Sequence, residues 1–211
     1  MSKVTFIGDV HGLMDKYERL LLRYMEPTIQ VGDMGVGFRK NNKWITTEAL
    51  ADKDRWFHGN HDDPKMCEKE KGYLGRYGVT KEGIFYMGGA FSVDAFYRRA
   101  MIDWWPNEQL NLEELGEALD LYKKTKPDVV ATHDCPRSLY PFMLQKIGKP
   151  EGPLYENATS HALEAMLNFH QPKVWIFGHW HRSVDEVVGN TRFICLNELE
   201  SVTLDLTKPQ G

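Results

Sequence analysis

Cysteine is scarce in this chain. Its three residues, Cys67, Cys135 and Cys195, stand far apart and form no CxxC. That argues against a disulfide framework and a thiolate-rich structural zinc site, and it fits a reducing, cytoplasmic setting. Long hydrophobic runs are missing as well. No stretch approaches the roughly 18 apolar residues of a membrane span, and the opening MSKVTFIGDVHG lacks the hydrophobic region of a signal peptide. No membrane partner is therefore expected. Positive charge has no surplus either: 26 Lys and Arg face 30 Asp and Glu, for a formal charge of −4. Long nucleic acid, which normally meets a basic surface, is not an expected partner. Repeats, low-complexity tracts and linkers are not evident, so the 211 residues read as one domain, 1–211. The oligomeric state leaves no readable mark.

Apolar residues make up 42% of the chain, enough for a core without a disulfide or metal staple. KVTFIGD, TIQVGD, DRWFHGNHD, GIFYMGGAFSVD, PDVVATHD and KVWIFGHWH each join a short apolar run to a polar or glycine turn, as strands do. LMDKYERLLLRYM carries Leu13, Tyr17, Leu20, Leu21 and Tyr24 at helical spacing and stops before Pro27. NLEELGEALDLYKKT is an amphipathic helix with Asn111 as its N-cap. TSHALEAMLNFH is a helix capped by Thr159 or Ser160. RSLYPFMLQKIGKPEGPLYEN, rich in Pro and Gly, reads as a long surface loop. TRFICLN and SVTLDL read as a terminal strand pair. The alternation of strands and helices points to an α/β fold.

The chemistry sits behind the apolar runs. The first ends in Asp9-Val10-His11, the second in Gly32-Asp33 and the third in Gly59-Asn60-His61-Asp62. The fifth ends in Thr132-His133-Asp134 and the sixth in Gly178-His179-Trp180-His181. Five of the eight histidines fall at these positions. In α/β sheets, sites form outside the carboxyl ends of strands, so these loops can converge. A lone Gly-Asp or Asp-x-His is ordinary turn chemistry, but the joint occurrence is not. Carboxylate and imidazole suit divalent Mn, Fe, Zn or Ni. Asp9, His11, Asp33, Asn60, His133, His179 and His181 are too many ligands for one ion. They are about right for two ions that share a bridging carboxylate.

In this order the motifs resemble the signatures of the calcineurin-like metallophosphoesterase superfamily. The matching segments are GDVHG at Gly8–Gly12, GD at Gly32–Asp33, GNHD at Gly59–Asp62, the lone His133, and GHWH at Gly178–His181. GGAFSVDAFYRR and MIDWWPNEQL look like its small bacterial and bacteriophage members. The resemblance implies two mixed β-sheets packed as a sandwich, flanked by helices, with a dinuclear metal centre. It implies that Asp9, His11 and His181 hold one ion, that Asn60, His133 and His179 hold the other, and that Asp33 bridges them. Trp180 would then point away between two ligands. His61 would be the acid that protonates the leaving oxygen, with Asp62 orienting its ring or capping the next segment. Manganese is the expected ion, with Fe, Zn or Ni as other fits. Two divalent ions, Asp9, Asp33 and a bridging hydroxide sum to about +1, which would draw a phosphate and activate the hydroxide for in-line attack.

Protein serine/threonine phosphatases of the superfamily carry GDxVDRG where this chain has GDMGVGF. The arginine that would grip phosphate is missing there. Arg98 and Arg99 are the substitute candidates for substrate binding, or else ordinary ion-pair partners of Asp94 or Asp103. Of Trp104 and Trp105, one is expected in the core and one at the surface. The expected function is metal-dependent hydrolysis of phosphate mono- or diesters, on a small phosphorylated substrate such as a nucleotide. A phosphoprotein substrate, and a catalytically silent sensor or scaffold on the same fold, are the alternatives. A silent scaffold would be expected to have lost ligands or the acid, and none is lost.

Overall fold

The computed structural model describes residues 3–207. Its first elements are β1 (Lys3–Ile7), α1 (Met14–Leu21), β2 (Thr28–Gln30), β3 (Arg39–Lys40), β4 (Lys43–Trp44), β5 (Asp54–Trp56) and α2 (Pro64–Cys67). Next come β6 (Tyr77–Val79), β7 (Phe85–Met87), α3 (Leu112–Thr125), β8 (Val129–Thr132) and α4 (Tyr140–Lys146). The last are α5 (Ala158–Phe169), β9 (Val174–Phe177), β10 (Val184–Val188), β11 (Thr191–Cys195) and β12 (Ser201–Asp205).

Two mixed sheets result. One has the order β12-β1-β2-β5, parallel except for β12 at its edge. The other runs β10-β11-β9-β8-β7-β6, with parallel central strands and an antiparallel strand at each edge. The period of two along each strand sorts its side chains between faces. Val174 and Ile176 of β9 face the other sheet, while Trp175 and Phe177 face helices. Val4, Phe6, Ile29 and Val31 meet Val129, Ala131, Val174 and Ile176 in one buried cluster between the sheets. Helices α3, α4 and α5 cover the six-stranded sheet through Leu115, Tyr122, Met143, Leu163 and Met166. Helices α1 and α2 cover the other sheet through Tyr17, Leu21 and Cys67. Each such apolar side chain contributes about 1.5–3 kcal/mol on burial. The fold is the expected α/β arrangement, two mixed sheets flanked by helices.

Three expectations need correction. TRFICLN and SVTLDL are both strands, but they do not pair. β11 joins β9 and β10, and β12 joins β1 in the other sheet. Ile194 and Leu204 enter the core between the sheets from opposite sides, which separates the two segments. The stretch 137–157 is not all loop. It holds α4, because Tyr140, Met143 and Leu144 share one buried face at i, i+3, i+4 spacing and Pro141 sits in the first turn, where a missing N–H is tolerated. Helix α5 is capped by Asn157 instead of Thr159 or Ser160, with the Asn157 oxygen accepting the Ser160 N–H at 2.8 Å. The predicted cap of α3 is present: Asn111 and Glu114 form a reciprocal capping box. No helix among the described residues is long and apolar enough to cross a membrane.

Candidate active site

The loops after β1, β2, β5, β8 and β9 carry the residues singled out above, and they meet at the C-terminal ends of strands from both sheets. Close approach of these loops requires glycine in two of the motifs. A Cβ on Gly59 would stand 2.1 Å from Asp33 Oδ1, and one on Gly178 would stand 2.2 Å from Asp9 Oδ1. The loops are also strained. His11, Asp33, His179 and His181 all have positive φ, at 47°, 60°, 66° and 49°. Such backbone persists only where the surroundings over-determine it, and it concentrates at functional sites.

Ligand-type atoms of Asp9, His11, Asp33 and His181 lie within 4.8 Å of one another. His181 Nε2 is 3.2 Å from Asp9 Oδ2. His11 Nε2 is 3.0 Å from His181 Nε2, 3.8 Å from Asp9 Oδ2 and 3.7 Å from Asp33 Oδ2. A second group adjoins the first through Asp33. His133 Nε2 is 3.2 Å from Asp33 Oδ1 and 3.1 Å from Asn60 Oδ1. The His179 ring stands edge-on to the His133 ring, centroids 5.1 Å apart. The backbone N–H of His179 donates to Asp9, at 3.1 Å from Oδ2.

Partners outside these groups fix their orientation. The Val31 carbonyl accepts from His133 Nδ1 at 2.9 Å, which fixes the ring with Nε2 facing the Asp33 and Asn60 oxygens. Asn60 Nδ2 donates to Ser92 Oγ at 3.0 Å, and Ser92 is gripped in turn by Glu108 at 2.6 and 2.8 Å. The Asn60 oxygen is thereby turned to the centre. Burial favours neutral Asp33, but the His133, His61 and His11 rings override it and hold its carboxyl well below the ordinary value. Burial likewise opposes charge on His133, and Asp33 overrides it, pushing the ring up to about 10.

The donor set fits divalent cations. Asp33 Oδ2 is buried and has no hydrogen-bond partner among the described residues. An orphaned buried oxygen of this kind costs about 1–3 kcal/mol, more if charged, unless a ligand satisfies it. Contacts of 3.0–3.8 Å among the donor atoms match the spacing of neighbouring ligands on one ion.

His61 lies against both this cluster and Arg98. Its backbone N–H donates to Asp33 Oδ1 at 2.7 Å, and its ring centroid is 5.0 Å from that of His11. The Arg98 guanidinium places a nitrogen 3.0 Å from each nitrogen of the His61 ring. Burial, aided by Arg98, pushes His61 down to about 4. Arg98 also binds Asp94 at 2.7 Å and is 16% exposed. Arg99 points elsewhere: it is 73% exposed and pairs with Asp103 at 3.6 Å. The two arginines are therefore not equivalent, and Arg99 is not brought to the site.

Asp62 is placed differently from the expectation. Its oxygens accept the backbone N–H groups of Met34, Gly35, Val36 and Gly59 at 2.7–3.1 Å. With four amides on it, the carboxylate ties the loop after β2 to the loop after β5 and does not orient the His61 ring. Burial and the Asp33 charge raise it to about 6 against those amides. Nor is Asp62 the helix cap, a role taken by Asp63 at the start of α2. Trp180 does turn away from the ligands. Its indole N–H donates to the buried Asp134 at 3.1 Å, and its ring meets Tyr140 at 5.0 Å. Trp105 is buried and Trp104 half-buried.

Ser92, Glu108 and Val31 carry no ligand pattern that marks them as supports, and Asp134, although it follows His133, is turned to Trp180 and Tyr140 and not to the centre. Two cavities flank the cluster. One, of about 300 Å³, is lined by His11, His61, Phe38, Arg39 and Lys40. The other, of about 290 Å³, is lined by His179, Trp180 and apolar residues.

The chain belongs to the calcineurin-like phosphoesterase family, whose model matches residues 2–183. Metal-dependent phosphoester hydrolysis is the general chemistry that membership supports. No curated protein matches the chain. Among solved structures it is similar to the phosphopantetheinyl hydrolase of Mycobacterium tuberculosis, with 12% identity, a TM-score of 0.55, and 100% and 98% of the two chains covered. It is also similar to a Staphylococcus aureus protein provisionally named a 5′-nucleotidase. That match has 15% identity and a TM-score of 0.49, and it covers 96% of this chain and 51% of the other. At 12% identity the likeness to the phosphopantetheinyl hydrolase is one of fold.

Proposed function

We propose that this protein hydrolyses phosphate mono- or diesters of small phosphorylated molecules with two divalent cations, manganese first among them. Asp9, His11 and His181 hold one cation, Asn60, His133 and His179 hold the other, and Asp33 serves both. The observation that carries this reading is Asp33. One of its oxygens abuts His133, and the other, buried and unpartnered, faces His11. When bound, the cations supply Lewis acidity and an activated water.

The remaining work falls to the chain's own groups. His61 stands beside the cluster, and although burial and Arg98 disfavour its charged form, an anionic phosphate bound against it favours protonation. It then gives a proton to the departing ester oxygen, a step that contributes about 10²–10⁴ in rate. Arg98 holds the His61 ring between its guanidinium and the cluster and is itself held by Asp94, which puts a positive charge beside the site where a phosphate would bind. Asp62 holds the two ligand-bearing loops in register from below. Arg99 takes no part. Gly37 stands where protein phosphatases of the superfamily carry their arginine, and the loss of that phosphate grip supports a small substrate over a phosphoprotein.

Hydrolysis by metal-stripped protein re-supplied with Mn²⁺ tests the reading, on nitrophenyl phosphate and bis-nitrophenyl phosphate side by side. Turnover of either, lost on stripping, is expected. Metal bound without turnover of either would overturn the reading and favour a phosphate-sensing role.

A further inference from the structure

The cavity beside His179 adjoins the cluster but has no role in the chemistry described so far. Three loops build it. The segment after β7 gives Phe91 and Val93, the segment from α4 to α5 gives Leu144, Pro153 and Tyr155, and the loop after β9 gives His179 and Trp180. Its polar tips are turned into the protein. The Tyr140 hydroxyl donates to Asp134 and accepts from Asn157 at 3.1 Å, and the Trp180 indole N–H is also spent on Asp134. Apart from Lys149 at the exposed rim and the His179 ring, what faces the cavity is apolar and aromatic. Phe91 and Tyr155 meet at 6.0 Å, tilted by 37°, and Trp180 stands edge-on to Tyr140. Arg137 clamps the wall by donating to the carbonyls of Tyr155 at 2.7 Å and Leu154 at 3.2 Å. A cavity with few free polar groups holds water poorly and takes apolar ligands well.

Its position says which part of a substrate reaches it. His179 belongs both to this cavity and to the ligand groups. A phosphoryl group held at the centre can therefore extend a substituent into the cavity. The cavity that includes His61 shares no lining residue with it. The leaving oxygen must lie at His61, so a group seated beside His179 is a different substituent on phosphorus. A monoester has one organic group, which leaves. A diester has two, and the second stays.

We propose that the cavity beside His179 is a subsite for a planar, apolar ester group that remains on phosphorus, so that the preferred substrate is a phosphodiester carrying such a group. The proposal rests on the phosphoesterase reading. Hydrolysis of such a diester breaks the P–O bond to the departing alcohol, which takes a proton from His61, and adds water's oxygen to phosphorus. The planar group leaves the enzyme as its phosphate monoester.

The test compares phenyl 4-nitrophenyl phosphate with methyl 4-nitrophenyl phosphate on Mn²⁺-loaded protein, each corrected for its uncatalysed rate. The leaving group is the same, so only the retained group differs. A ratio of kcat/KM favouring the phenyl ester by about tenfold or more, carried mainly by KM, is expected for a ring buried among aromatic side chains. Tyr155→Ala, which opens the wall, and Val93→Trp, which fills the space, should each lower that ratio. Equal efficiency on both esters, or a ratio untouched by both variants, would overturn the subsite and leave the esterase reading standing. Release of nitrophenol from neither would overturn the esterase reading itself. Calorimetry with diphenyl and dimethyl phosphate would then decide the subsite: tighter diphenyl binding supports it, and equal or absent binding sinks it.

Discussion

A methyl group at Gly59 would press on Asp33 Oδ1 and stand 2.5 Å from His133 Nε2, so both ligand groups would have to move. Gly59→Ala is expected to retain less than about half the parent's manganese after dialysis, since displaced outer support alone lowers metal affinity about 10–100-fold. Metal analysis showing equal content would contradict the packing argument. His61 is different, because no donor distance among the ligands depends on its ring. His61→Gln should keep its metal while kcat falls about 10²–10⁴-fold, with a smaller loss for a good leaving group such as nitrophenol. An unchanged kcat on an alkyl ester would remove His61 from the proposed mechanism. At this scale much of the site was legible, since Asp9, His11, Asp33, Asn60, His133, His179 and His181 stand out by residue type behind apolar runs. The role of Asp62 was not legible. Its partners are backbone amides of a segment nearly thirty residues away, with no side-chain signature. Arg98 and Arg99 are equal in sequence, and only the turn at Ala95–Tyr97 directs one inward.

Among the elements, β5 and the turn joining β6 to β7 lie on different sheets and are tied by a two-pronged ion pair. Arg55 reaches Glu82 at 2.9 and 3.1 Å. Burial alone would raise the Glu82 carboxyl; its hydrogen bonds with Arg55 and Thr80 override that and hold it below the ordinary value. A lowered folded-state pKa gives stability that is complete above the ordinary carboxylate value. That stability is lost as pH falls through the lowered value. Arg55→Leu should therefore melt at a lower temperature than the parent at pH 7, and the gap should narrow as pH falls below about 4. A gap that stays constant across that window would contradict the assignment. Elements with clear period and caps, such as α3, were readable from sequence. Helix α4 was masked by the Pro and Gly around it, and β11 and β12 looked like neighbours because sheet membership is decided by the core, not by adjacency.

For the molecule as a whole, the proposed ligand groups come from both sheets, so ions bound there would tie the sandwich together. Ions that bind the folded chain at about a hundred times their dissociation constant add about 2.7 kcal/mol of stability. For a chain of this size that raises the melting temperature by about 5–10 °C. Mn²⁺ should produce such a rise and a chelator should reverse it; a melt indifferent to both would argue against the centre. The central claim is that two ions at Asp33 run phosphoester hydrolysis. Its most direct test titrates Mn²⁺ into metal-stripped protein while nitrophenol release from bis-nitrophenyl phosphate and bound metal are followed together. The account predicts no release without metal, a plateau near two ions per chain, and neither in Asp33→Asn. Full turnover in the stripped protein, or two ions bound with no turnover, would contradict it.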